Sequence, residues 1–141
     1  MLEFENKKKE LTFRLRDRWS MEMLQDRVAK DLGSYPLRNY RSVLIILREL
    51  LNNAYWHGNG GVDGRYIRGR INWASSDEVV VEVEDEGEGF DFQTIDPRVD
   101  EKISMQTRRG YKVIYSLARQ VSFNEKGNKV QVKLGLKQDE A

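Results

Sequence analysis

Three groups of residues in this chain have types and spacings that could do chemistry. The first is Glu49-Leu50-Leu51-Asn52-Asn53-Ala54-Tyr55-Trp56-His57-Gly58. On a helix Glu49 and Asn53 stand four residues apart, hence on one side, with His57 one turn further along. A carboxylate beside an amide on a rigid element suits a magnesium ion or a general base. The same spacing also fits a solvated helix flank with an ordinary His-Gly stop, because charged and amide side chains usually face water.

The second group is Asp85-Glu86-Gly87-Glu88-Gly89-Phe90, after a run that reads as a β-strand. Glycine and acidic residues are ordinary turn formers. Among the ligand-binding alternatives, an EF-hand would need oxygen ligands where Gly87 and Gly89 stand. A dinucleotide fingerprint would need a third glycine at Phe92 and a helix directly after it. No Walker A sequence occurs, which excludes P-loop chemistry. What remains is an aspartate beside two glycines, where the backbone lets a flat ligand approach closely. The third group is Thr107-Arg108-Arg109-Gly110-Tyr111, expected at the start of a helix. Exposed first-turn N–H groups with two arginines can bind phosphate, although Arg-Arg pairs are also common in solvent. The basic patches at Lys7 to Arg18 and Arg65 to Arg70 read as soluble surface.

The rest of the chain has to position these groups. Its 141 residues are 39% hydrophobic and 33% charged, the composition of one domain, 1–141, able to bury a core. The longest uncharged apolar run, Val43 to Leu47, is far short of the ~20 residues of a spanning helix. With 24 Lys+Arg against 23 Asp+Glu, no global field points to nucleic acid. The absence of cysteine excludes a disulfide framework, thiol catalysis and Cys-ligated zinc, and makes the cytoplasm the expected compartment. A single histidine, His57, excludes any mechanism that needs two.

Residues 1–9 read as a polar N-terminal tail or the lead into a strand. Leu11, Phe13 and Leu15 alternate with polar residues as in a half-buried strand. Ser20 is the expected cap of a helix over 21–32, with Met21, Leu24, Val28 and Leu32 inward and Gly33 as its stop. After Pro36, Leu37, Tyr40, Leu44, Leu47, Leu51 and Ala54 predict one long amphipathic helix to His57-Gly58. Strands follow at 66–74 and 78–84, joined at Ser75-Ser76-Asp77. Gly110 is expected to open a helix that buries Val113, Ile114, Leu117 and Ala118. Residues 121–123 and 130–136 predict a final hairpin turning at Lys126-Gly127-Asn128. The order is βααββαββ: an α+β, two-layer sandwich with helices on one face of a mixed, mostly antiparallel sheet.

Taken together, the order and spacing of the three groups resemble the GHKL superfamily of ATP-binding domains, over about residues 10–137. Glu49-x-x-x-Asn53-Ala54-x-x-His57 is similar to its N box, Asp85-x-Gly87-x-Gly89-Phe90 to its first glycine box, and Arg109-Gly110-Tyr111 to the end of its second. The Asn-Ala-x-x-His-Gly form, the small size and the short lid region most resemble the anti-sigma-factor serine/threonine kinases of the RsbW and SpoIIAB type.

The resemblance implies the ATP-binding sandwich known as the Bergerat fold, with ATP and Mg²⁺ as cofactors. It assigns Mg²⁺ to Asn53, orientation or deprotonation of the nucleophile to Glu49, and the adenine amino group to Asp85. Gly87 and Gly89 pass against the base, and His57 belongs to the nucleotide site. Arg108, Arg109 and the Gly110 amide lie at the phosphates. The function implied is phosphorylation of an anti-anti-sigma (STAS) partner and sequestration of a sigma factor, by a homodimer that touches neither nucleic acid nor membrane. Because His57 lies within the N box, autophosphorylation of the sensor-kinase kind is not expected.

Two positions depart from the pattern. Arg108 replaces the first glycine of the usual Gly-x-Gly, and Asn128 replaces a threonine. They motivate an alternative: a non-catalytic, nucleotide-sensing regulator of the same fold. A third possibility, a domain cut from a larger histidine kinase, is countered by the start methionine and an apparently complete sheet.

Overall fold

The computed structural model describes residues 1–34 and 39–135. Its elements are β1 (Glu3–Lys7), β2 (Glu10–Leu15), α1 (Arg18–Gly33), α2 (Tyr40–Asn52), a π-helical turn (Asn53–Gly58), β3 (Ile67–Asn72), β4 (Glu78–Asp85), α3 (Met105–Leu117), β5 (Gln120–Phe123) and β6 (Lys129–Gly135). The six strands form one sheet in the order β1-β2-β3-β4-β6-β5. Every pairing is antiparallel, so the sheet is not mixed. Residues 3–7 are not a tail: they form the edge strand β1, with Phe4 opposite Phe13 and Glu3 opposite Arg14.

Register explains which face is buried. Leu11, Ile71, Val81 and Val132 lie in one cross-strand row, and Phe13, Gly69, Val83 and Val130 in the next. A strand alternates its side chains between faces, so these rows make one apolar surface. Met21, Leu24, Val28 and Leu32 of α1, Val43, Ile46, Leu47, Leu50 and Leu51 of α2, and Tyr111 and Ile114 of α3 pack on it in a single core. The opposite face carries charge: Arg68 pairs with Glu84, while Arg70 and Lys129 both reach Glu82. No described helix is long and apolar enough to cross a membrane.

Several boundaries differ from those expected. Helix α1 starts at Arg18 because Asp17, not Ser20, is the cap; its Oδ1 accepts the Ser20 amide at 2.8 Å. Ser20 instead lies in the first turn with its side chain buried, 2% exposed. Helix α3 starts at Met105, capped by Ser104, so Gly110 is its sixth residue and does not open it. At that position the intrahelical ladder takes the Gly110 N–H. The inward face of α3 is Thr107, Gly110, Tyr111 and Ile114, whereas Val113 and Leu117 are exposed. The expected positions Leu37 and Leu136 lie outside the described residues.

Candidate functional site

Strand β4 ends on the core side of the sheet, with Asp85 opposite Ile67. The strand period thus puts a carboxylate in the apolar row and leaves it 9% exposed. Its main chain is locked by Asn128, whose side-chain amide donates to the Asp85 carbonyl at 2.8 Å and whose carbonyl accepts the Asp85 N–H at 3.0 Å. Oδ1 accepts the Gly87 amide at 2.7 Å. Oδ2 lies over Gly58, where an added Cβ would come within 2.1 Å of it. Burial pushes the Asp85 carboxyl up to about 6, with Glu84 adding to the rise and the Gly87 amide and Lys126 opposing it.

Asp85 floors a cleft of about 460 Å³ whose walls include Asn53, His57, Gly89, Phe90, Thr107 and Tyr111. Phe90 is braced edge-on against Phe123 at 5.1 Å between centroids, and His57 meets it edge-on at 6.4 Å. Gly89 has φ +79, a left-handed conformation that side chains rarely adopt, and a Cβ there would meet the Lys126 carbonyl at 1.9 Å. The glycine loop therefore seats directly on the β5–β6 turn. Burial also holds the Tyr111 hydroxyl well above the ordinary range, so this wall stays neutral.

The opposite end of the cleft is built where α2 widens into the π-helical turn, in which the Asn59 amide reaches back to the Ala54 carbonyl at 2.8 Å. Wide turns of this kind recur at functional sites because they re-aim side chains within a continuing helix. Asn53 is 8% exposed, yet its Nδ2 has no hydrogen-bond partner. An orphaned buried amide is costly unless something else occupies the site. Glu49, one turn earlier, is half-buried and, among the described residues, forms an ion pair with Arg48 alone, at 3.5 Å. Both side chains converge on Gly110 of α3: an added Cβ would lie 2.7 Å from Glu49 Oε2 and 3.3 Å from Asn53 Oδ1. Gly110 thus serves as a gap that lets α3 approach the carboxylate and the amide.

Of the residues singled out from sequence, Asn53, His57, Asp85 and Gly89 line one cleft. Gly87 backs it, since a Cβ there would lie 2.1 Å from the Gly58 carbonyl. Glu49, Arg109 and Gly110 line an adjoining cavity that shares Asn53 and Thr107 with the first. Arg108 faces a surface depression beside Arg98 and Lys112. Sequence reasoning missed Gly58 as the seat of Asp85, although its place after His57 was visible. It also missed Asn59, buried at 1%, which accepts the Glu86 amide at 2.9 Å and donates to the Tyr66 carbonyl at 3.0 Å. In the sequence Asn59 looks like a turn residue.

Residues 26–134 match the family model described as histidine kinase-like ATPase domain. No curated protein matches the chain significantly. Among solved structures, the histidine kinase domain from Erythrobacter litoralis EL346 blue-light activated histidine kinase superposes with a TM-score of 0.53 at 15% identity. The match covers 94% of this chain and 66% of that one, so the chain spans just under two thirds of that domain. At this identity the likeness concerns the fold. The family match, which takes in most of the chain, agrees with it, and the chain belongs to the histidine kinase-like ATPase domain family.

Proposed function

We propose that the protein binds ATP with Mg²⁺ and transfers the γ-phosphoryl group to a serine or threonine hydroxyl of an anti-anti-sigma (STAS-type) partner, and that it sequesters a sigma factor as a cytoplasmic homodimer. The observation that carries this reading is the convergence of Glu49 and Asn53 on Gly110, at the far end of a cleft floored by a buried carboxylate. Asp85 accepts a hydrogen bond from an exocyclic amine in a cleft where Val83, Phe90, Ile103 and Val130 supply apolar surface for a flat ring, which suits adenine. Asn53 fits a phosphate-bound Mg²⁺: its amide is buried and under-satisfied. No described cluster of three or more acidic or histidine groups could hold the ion alone, so most of its ligands must come from phosphates and water. When bound, Mg²⁺ neutralises phosphate charge. Glu49 orients the acceptor hydroxyl and takes its proton. Phosphate meets α3 at its first turn, where Thr107 lines the cleft, and not at the Gly110 amide, which the helix ladder takes.

The regulator reading rests on Arg108 and Asn128. Asn128 still holds the Asp85 main chain, and Arg108 lies outside both cavities that contain Glu49, Asn53 and Asp85. Both observations favour the catalytic reading. Phosphate transfer from labelled Mg-ATP to candidate STAS proteins tests it. Glu49→Gln should cut transfer at least 100-fold while ATP affinity changes less than threefold. Equal transfer by wild type and Glu49→Gln would remove the base assignment, and no ATP binding by the wild type would remove the whole reading.

A further inference from the structure

The cavity beyond Glu49 has a volume of about 370 Å³ and is not part of the Asp85 cleft, although the two meet at Asn53 and Thr107. Its outer walls are Trp56, from the π-helical turn, and Gln106, Arg109 and Val113 of α3. Trp56 is 50% exposed, with the Arg18 guanidinium 5.3 Å from its ring centroid. Gly61 backs it, since an added Cβ there would lie 2.9 Å from the indole. Val113 is 36% exposed, and Met105 on the same outer side of α3 is exposed too. A half-open indole and an apolar α3 flank beside a carboxylate are not what a solvated helix face requires.

Charge identifies what fits. Arg109 lines this cavity, and Arg108 and Lys112 line the depression next to it. Among the described residues no carboxylate forms an ion pair with any of the three. None of them lines the Asp85 cleft. The only carboxylate lining the cavity is Glu49 itself. Arg109 lines both the cavity and the depression, where Arg98, Arg108 and Lys112 join it; this run of cations leading up to the cavity, with an indole at its edge, complements an acidic segment with an apolar anchor.

We propose that this cavity is the acceptor-docking groove: it takes a segment of a partner protein that carries a serine or threonine hydroxyl between acidic side chains, with Trp56 and Val113 as its apolar contacts and Arg109 and Lys112 as its charge contacts. This deepens, and rests on, the phosphotransfer reading of the same site. A hydroxyl in the groove lies on the Glu49 side of Asn53, opposite the nucleotide cleft. Its oxygen forms the new bond to the γ-phosphorus as the bond from that phosphorus to the β,γ-bridging oxygen breaks. ADP leaves with that electron pair, and the hydroxyl proton passes to Glu49.

The test uses the full chain with Mg-AMP-PNP and two pools of fluorescein-labelled serine peptides, one with acidic and one with basic flanks, read by anisotropy. The acidic pool should bind at least tenfold more tightly than the basic one. Trp56→Ala and Val113→Glu should each weaken it at least tenfold, with nucleotide affinity by calorimetry within twofold of wild type. Neither residue lines the nucleotide cleft, and both are surface positions, so the pair guards against loss through misfolding. Equal binding of the two pools, no binding of either, or variants that bind the acidic pool as wild type does would overturn the groove. If the wild type binds peptide but not nucleotide, the phosphotransfer reading fails while the groove stands.

Discussion

Asp85 is under opposing demands. Its burial makes ionisation costly, yet an adenine amine needs the ionised, accepting form. The folded-state carboxyl sits at about 6, against an ordinary 3.8. A group raised in this way favours folding fully below about 4 and loses that contribution as pH climbs through about 6. At pH 8 the ionised Asp85 therefore works against the fold. Asp85→Asn, which keeps an acceptor for the Gly87 amide, should stabilise the free protein at pH 8 by about 1–2 kcal/mol in denaturant melts. The same change should weaken ATP binding at least tenfold at pH 8. In the wild type ATP affinity should fall as pH is lowered from 7.5 to 5. Asp85→Asn should lack that component, which separates it from titration of the nucleotide's own phosphate. An Asp85→Asn protein less stable than wild type at pH 8, with an unchanged pH profile, would contradict the burial argument.

At the scale of elements, the relation of α3 to α2 decides whether Glu49 is poised. Gly110→Ala should gain up to about 1 kcal/mol of helix propensity. Against that gain stands contact with the end of the flexible Glu49 side chain at 2.7 Å, which can swing aside. Net stability should change by less than about 1 kcal/mol, and phosphotransfer should drop at least tenfold while ATP affinity stays within threefold. Kinetics and calorimetry on one preparation separate the two. The sequence showed Gly110 to matter but not how. Its neighbours looked like a helix start, because two arginines and a glycine match a phosphate-binding first turn. The start is set instead by Ser104, whose hydroxyl accepts the Thr107 amide at 3.3 Å. A Ser-x-x-Thr cap is a weaker signal in sequence than the Ser/Thr-x-x-Glu box. The Glu49–Asn53 side was legible from four-residue spacing. The π-helical turn after it was not, since no residue type demands one. Burial of Asn53 was hidden as well, because an amide opposite an apolar stripe reads as solvated until a second helix covers it.

For the whole molecule, near-neutrality conceals a separation of charge. The open face of the sheet balances itself in cross-strand pairs such as Arg68–Glu84 and Lys129–Glu82, so its charges are spent within the sheet. Among the described residues Arg108, Arg109 and Lys112 of α3 form no ion pair with a carboxylate, and Arg109 shares a cavity with Glu49. Exposed ion pairs contribute little to stability, so the fold must rest on the single apolar layer between sheet and helices. This separates two leucines that helical spacing places alike. Leu47 is 0% exposed at the centre of that layer, whereas Leu117 is 37% exposed on the outer side of α3, although periodicity predicted both to face inward. The stripe on α3 is rotated because Gly110 and Thr107 take the contact with α2 that larger side chains would otherwise make. Leu47→Ala should therefore cost about 2–5 kcal/mol in denaturant titration, and Leu117→Ala less than about 0.5 kcal/mol. Comparable losses at the two positions would mean that α3 packs on its other side, and the face assigned to the acceptor would then lie in the core.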